Sequence, residues 1–196
     1  MVGLFRLLLT ALLVAVVQNL VITGGFGISE ALRFSSKPGR LGFLSALIAF
    51  FSVLVSIICV LLEQVAAIAA LDQYLHFLVY SAVLALLYLI CCAAALLLKA
   101  GKKTLSSLGI AAINTLVMAI PLINYKSGFN VFEAVGAGLG AGASFAIAVT
   151  LVNTGIRRLR ENPDIPESFS GSPALFIYTA LIALGLTALS GRAFSI

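Results

Sequence analysis

Charged residues avoid long apolar stretches of this chain and leave six blocks, at 3–24, 41–63, 71–99, 104–124, 129–159 and 172–194. A helix needs about 20 apolar residues to cross roughly 30 Å of hydrocarbon. The pattern therefore predicts an all-α polytopic membrane protein with six transmembrane helices. Arg6 ahead of a leucine-rich run also resembles the start of a signal peptide. No small-residue cleavage site closes a short apolar core, and five more blocks follow, so the first block is read as a span.

Composition agrees with that reading. The 196 residues are 62% hydrophobic and 10% charged, with a mean hydropathy of +1.18. A soluble domain of this size carries more polar surface. The net charge of +5 does not mark a nucleic-acid partner, because the basic residues follow the loops instead of forming one surface. One set of loops holds nine of them: Arg33, Lys37, Arg40, Lys99, Lys102, Lys103, Arg157, Arg158 and Arg160. The other side holds three, Arg6, Lys126 and Arg192. Basic loops stay in the cytoplasm. The expected topology has both termini outside a bacterial cytoplasmic (inner) membrane.

The chain is read as a single membrane domain, 1–196, with two three-span repeats of about 1–99 and 100–196. An odd number of spans in each half inverts one repeat relative to the other. Gln18-Asn19-Leu20-Val21-Ile22 in the first span echoes Ile113-Asn114-Thr115-Leu116-Val117 in the fourth. Both spans carry break signals: Gly24, Gly25 and Gly27 in the first, Asn114 and Pro121 in the fourth. Non-helical backbone at membrane depth survives only where protein or a cavity satisfies its polar groups. Asn19 and Asn114 either cap and bridge helices or frame a midplane site between the halves, as inverted repeats often do. Gln18 belongs to the same polar set. In the fifth span Gly136, Gly138, Gly140 and Gly142 make two overlapping GxxxG spacings, a signal for close helix packing in lipid.

Reactive side chains are few. Cys91 and Cys92 are neighbours on one helix and diverge by about 100°. Cys59 falls at another depth, so neither a shared metal nor a disulfide is expected. His76, the one histidine, is expected at the membrane interface beside Tyr74 and Tyr80 without a ligand. Glu63, Asp72 and Glu133 fall at span ends, where none makes a midplane ion ligand. Asp164-Ile165-Pro166-Glu167 reads as a stiff cytoplasmic connector, either a solvated loop or a docking surface.

Several of these segments, in order, resemble the Rnf/Nqr membrane-subunit family, the small six-helix subunits of Rnf and sodium-pumping NADH:quinone reductase complexes. Gln18-Asn19-Leu20-Val21 resembles the family's paired-asparagine motif, and Phe26-Gly27-Ile28-Ser29 its Leu-Gly-Leu-Cys. Asn114-Thr115-Leu116-Val117 falls on its Asn-Cys-Ala-Val. Ile156-Arg157-Arg158 with Asp164-Ile165-Pro166 and Gly171 resembles its Ile-Arg-Glu…Asp-Val-Pro…Arg-Gly, and Ala188-Leu189-Ser190-Gly191 its closing Gly-Phe-Ser-Gly.

The resemblance implies six helices in two inverted repeats, with the first and fourth interrupted. It implies a homologous membrane subunit of opposite topology as partner, together with redox subunits carrying flavin or iron–sulfur centres. The outward termini correspond to the Rnf A / Nqr E type. In the family each of the two paired subunits supplies two cysteines to one 2Fe–2S cluster between them. Here those positions are Ser29 and Thr115, whose hydroxyls are poor substitutes for thiolates. The chain alone is therefore expected to bind no cofactor, and a cluster at a subunit interface stays open. The functional expectation is a membrane subunit that scaffolds transmembrane electron transfer without iron–sulfur ligands of its own. The alternative is a cluster-free paralogue working as an ion or small-molecule transporter or channel.

Overall fold

The structure, a computed structural model, describes residues 2–35, 39, 41–69, 71–162, 164, 166, 169 and 171–189. Its helices are α1 (Val2–Leu12), α2 (Ile28–Ser35), α3 (Leu41–Leu62), α4 (Ala66–Ala69), α5 (Gln73–Leu97), α6 (Lys102–Ala112), α7 (Thr115–Ser127), α8 (Val131–Arg160) and α9 (Ser172–Leu189). A π-helical turn, Leu13–Val17, extends α1. No strand occurs among the described residues.

Local chemistry explains the sharpest boundary. Gly128 closes α7 in the left-handed region at φ 61°. Three residues later α8 begins under a capping box. Asn130 Oδ1 accepts from the Glu133 N–H at 3.1 Å, and Glu133 Oε2 accepts from the Asn130 N–H at 3.0 Å. Both are donors that a helix start otherwise leaves unpaired. Glu133 also meets Arg6 of α1 at 3.5 Å.

The fold is organised around α8. In its most apolar stretch 61% of the residues are buried, against 11% for α5, which lies at the periphery. The alternating glycines explain how one helix serves two neighbours. A Cβ on Gly136 would strike the Leu7 carbonyl oxygen, and one on Gly140 would lie 2.7 Å from that of Ala11. A Cβ on Gly138 would lie 2.7 Å from the Val53 nitrogen, and one on Gly142 2.6 Å from Ala49 Cβ. One GxxxG thus seats α1 and the other seats α3, each at backbone contact distance. Numbering rises together along α1 and α8, so they run parallel. It runs oppositely along α3 and α8, so they are antiparallel. Phe51, Phe145, Leu44 and Ile48 fill the interior between them.

Four helical segments are long and apolar enough to cross a membrane: Leu41–Leu62, Tyr74–Leu97, Lys102–Ser127 and Val131–Leu159. The first and last apolar segments, Val2–Val17 and Pro173–Ala188, are shorter. The first stops early because the chain leaves helical geometry at Gln18, and the predicted end of the sixth block, 190–194, lies outside the described residues. Leu86, Leu89, Ile90, Leu97, Phe176 and Leu181 all point outward. A surface this apolar suits hydrocarbon, not water. Residues 163, 165, 167, 168 and 170 of the connector after α8 also lie outside the described residues.

Candidate functional site

Two helices are interrupted, and their interruptions meet. In the first, the π turn ends with the Gln18 N–H donating to the Leu13 carbonyl at 2.8 Å. Irregular backbone follows through Gly27. Asn19, fully buried, organises it. Its Oδ1 accepts from the Ile22 N–H at 3.2 Å and from Ser144 Oγ at 3.1 Å. Its Nδ2 donates to the Ala15 carbonyl at 3.1 Å and to that of Ser144 at 3.4 Å. Asn19 therefore satisfies the loosened backbone and ties it to α8. No motif marks Ser144, although a serine within the glycine and alanine face of α8 is a visible signal.

The fourth span breaks at Ile113 and Asn114 only, and α7 then runs on through Pro121. Asn114 is buried and caps α7, its Oδ1 accepting from the Leu116 N–H at 2.9 Å. Its Nδ2 has no partner among the described residues.

The junction itself is the bond from the Gly27 N–H to Thr115 Oγ1, 2.8 Å long and spanning 88 residues of sequence. Gly27 sits at φ +72°, and a Cβ there would lie 2.5 Å from Asn114 Oδ1. Only glycine meets both demands. The N-terminal ends of α2 and α7 are thereby brought together. Ser29, in the first turn of α2, and Thr115, first in α7, are both exposed on this chain's surface. Gln18 is half-buried and lines a cavity of about 320 Å³ with Thr23, Gly24 and Phe26. Thr115 opens onto a neighbouring apolar groove of about 390 Å³ walled by Phe26, Phe77, Met118 and Leu122, with Lys126 also on its lining.

The donors at this junction do not suit an iron–sulfur cluster. Thr115 Oγ1 is already occupied as the acceptor for Gly27, and neither hydroxyl matches the soft thiolate that iron–sulfur ligation uses. The cysteines lie elsewhere: Cys59 is buried in α3, and Cys91 and Cys92 are half-buried on α5. Among the described residues no three His, Cys, Asp or Glu side chains gather as a metal site.

One expectation is corrected. His76 is not an interfacial side chain but fully buried. Its ring stacks on Tyr125 of α7 at 4.2 Å between centroids and meets Tyr80 edge-on at 5.8 Å. Tyr80 donates its hydroxyl to Glu63, the residue just past α3. Burial pushes the Glu63 carboxyl above its ordinary value, against the opposing pull of His76. Helical spacing relates His76 to Tyr80, but nothing in the sequence points to Tyr125.

These features define a class: an all-helical, multi-pass membrane protein with two interrupted helices joined at their breaks. No protein-family model matches the chain. Curated relatives do. The chain is 34% identical over 80 residues to the A-type component of the proton-translocating ferredoxin:NAD(+) oxidoreductase complex of Clostridium ljungdahlii, covering 41% of each protein. It is 33% identical over 78 residues to the A-type component of the ion-translocating oxidoreductase complex of Aromatoleum aromaticum, covering 40% of each. It is 35% identical over 79 residues to the E-type component of the Na(+)-translocating NADH-quinone reductase of Azotobacter vinelandii, covering 40% of this chain and 39% of that one. The match thus spans about two fifths of the length of these relatives. Over that stretch the resemblance to the Rnf A / Nqr E membrane subunits drawn from the motifs is borne out.

Proposed function

We propose that this chain is a membrane subunit of an Rnf/Nqr-like, ion-translocating electron-transport complex of the bacterial inner membrane. It scaffolds electron transfer between partners that carry the flavin and iron–sulfur centres, and it supplies no iron–sulfur ligands of its own. The observation that carries this reading is the junction of the two interruptions. It leaves Ser29 and Thr115 exposed on this chain's surface, which supports contact with a neighbouring subunit over a pathway enclosed within this chain. The antiparallel run of α3 against α8 and the parallel run of α1 fit six passes in two inverted three-helix repeats. The concentration of Lys and Arg in alternate loops supports outward termini.

Mild solubilisation from the native membrane and affinity capture of the full chain test the proposal. The expected result is co-purification, in fixed stoichiometry, of a homologous membrane subunit of opposite topology and of flavin or iron–sulfur subunits. A homogeneous protein without redox partners overturns it.

The cavity beside the first interruption, with Gln18 and Thr23 on its wall, favours a second reading as a self-contained ion or small-molecule transporter. Proteoliposomes holding this chain alone separate the two. Saturable uptake, lost in Gln18→Ala, selects the transporter, and a tight membrane without uptake excludes it.

A further inference from the structure

The apolar groove beside the junction follows one face of α7. Thr115, Met118, Ala119, Leu122, Ile123 and Lys126 recur on its lining at steps of three and one, the spacing of a single helical stripe. Phe77 of α5 and Phe26 of the first interruption complete the walls. Phe77, Thr115 and Lys126 are exposed, so the groove opens on the outside of the bundle. Its volume of about 390 Å³ is that of a small-molecule site.

Its polar groups stand at the two ends of the stripe. At one end Thr115 Oγ1 already accepts from the Gly27 N–H. At the other, Lys126 has no ion-pair partner among the described residues, and no acidic side chain is on the lining. Only apolar side chains lie between, so nothing inside the groove would solvate a polar solute. Eleven residues of helix separate the ends, about 16 Å at roughly 1.5 Å per residue. That is about half of the roughly 30 Å hydrocarbon layer. Lys126 lies at the end of the membrane-length segment Lys102–Ser127, where lipid headgroups lie, and Thr115 falls near the bilayer centre.

The geometry points to a binding site for one anionic phospholipid, its phosphate on Lys126 and one acyl chain laid along α7 toward Thr115. The unpaired ammonium offers donors and charge to the phosphate oxygens. The apolar stripe takes the chain, and its length is that of one leaflet. A partner helix suits this groove less well. On α8, where helices do meet, glycines bring backbones into contact. The α7 groove is walled instead by Phe26, Phe77, Met118 and Leu122, large side chains that hold a neighbouring backbone off and leave a channel for a flexible chain. The site rests on the groove and Lys126 alone, so it stands or falls apart from the proposed complex.

Native mass spectrometry of the full chain tests the site. The protein is released from micelles titrated with phosphatidylglycerol, with phosphatidylcholine of the same chain length, or with a short-chain phosphatidylglycerol. The expected result is a single saturable adduct with long-chain phosphatidylglycerol and weaker adducts with the other two. Lys126→Ala should weaken retention of the anionic lipid about fivefold, the worth of one lysine beside an anionic surface, and leave phosphatidylcholine unchanged. Met118→Trp fills the groove and should remove the adduct. Equal retention of the two headgroups, or an adduct indifferent to Lys126→Ala, overturns the proposal. So does an adduct that survives Met118→Trp, or a dimer of this chain that Met118→Trp dissolves, which would make the groove a contact between copies. Should Met118→Trp fail to fold, the exposed Lys126→Ala and the lipid comparison decide the matter alone.

Discussion

The two interruptions begin from the same residue type and are built differently. Around Asn19 the chain leaves the helix for ten residues, 18–27, and one side chain ties two backbone segments to α8. Around Asn114 it leaves for only two residues, and the side chain does a single task, capping the next helix. The first break is a tertiary construction and the second is a local one. Gly27 and Thr115 then couple them. The asparagine echo in the sequence therefore marks positions of broken helix, not equal structural duty.

The largest effect is expected where that difference is greatest. Asn19→Ala strips partners from a loosened backbone, Ser144 and Ala15, and should destabilise by about 3 kcal/mol, since each buried polar group left unpaired costs about 1–3 kcal/mol. Asn114→Ala removes one cap and should cost about 1 kcal/mol. Reversible unfolding in mixed micelles measures both. Equal losses would erase the distinction drawn between the breaks.

Gly27→Ala tests the coupling. A left-handed alanine is unfavourable by about 1–2 kcal/mol, before its contact with Asn114 is counted. The double variant with Asn114→Gly should recover the contact portion and leave the backbone portion. Strict additivity of the two losses in the double-mutant cycle would mean that the breaks do not press on each other.

Thr115→Val removes the acceptor for the Gly27 N–H while keeping the shape, and should cost about 1 kcal/mol. Ser29→Ala, exposed and without a bond across the junction, should stay within about 0.5 kcal/mol. If Ser29→Ala proves the costlier in the isolated chain, the outward placement of that hydroxyl is wrong.

The smallest effect is a pH dependence. Burial raises the Glu63 carboxyl in the folded chain, so folding favours its protonated form. Its contribution is complete below the ordinary carboxylate range and is lost as pH climbs through the raised value. Thermal stability should decline gently over that window, and Glu63→Gln should flatten the slope. A slope unchanged in Glu63→Gln would assign the pH response elsewhere.

Legibility follows the range of the forces involved. Gly24, Gly25 and Gly27 announce the first break, and Asn114 announces the second, because loss of helical hydrogen bonding is a local event. Pro121 is equally local evidence and misleads, since α7 passes through it. The glycine spacings of α8 foretell close packing, but not that Gly136 and Gly140 take α1 while Gly138 and Gly142 take α3. The burial of His76 goes with its stacking on Tyr125, which no spacing relates to it, so the pattern alone places it wrongly at the interface.

The amino-acid order alone determined a membrane-embedded helical chain, its apolar lengths and the two sites of interruption. Hydrocarbon thickness and backbone satisfaction act on each segment separately and leave their mark in composition. Only the tertiary structure decided that Gly27 bonds Thr115, that Asn19 binds Ser144, that Tyr80 reaches Glu63, and that Tyr125 stacks on His76. Those pairings come from helices meeting across long stretches of sequence, where shape and hydrogen-bond demand select the partner and no periodicity records it.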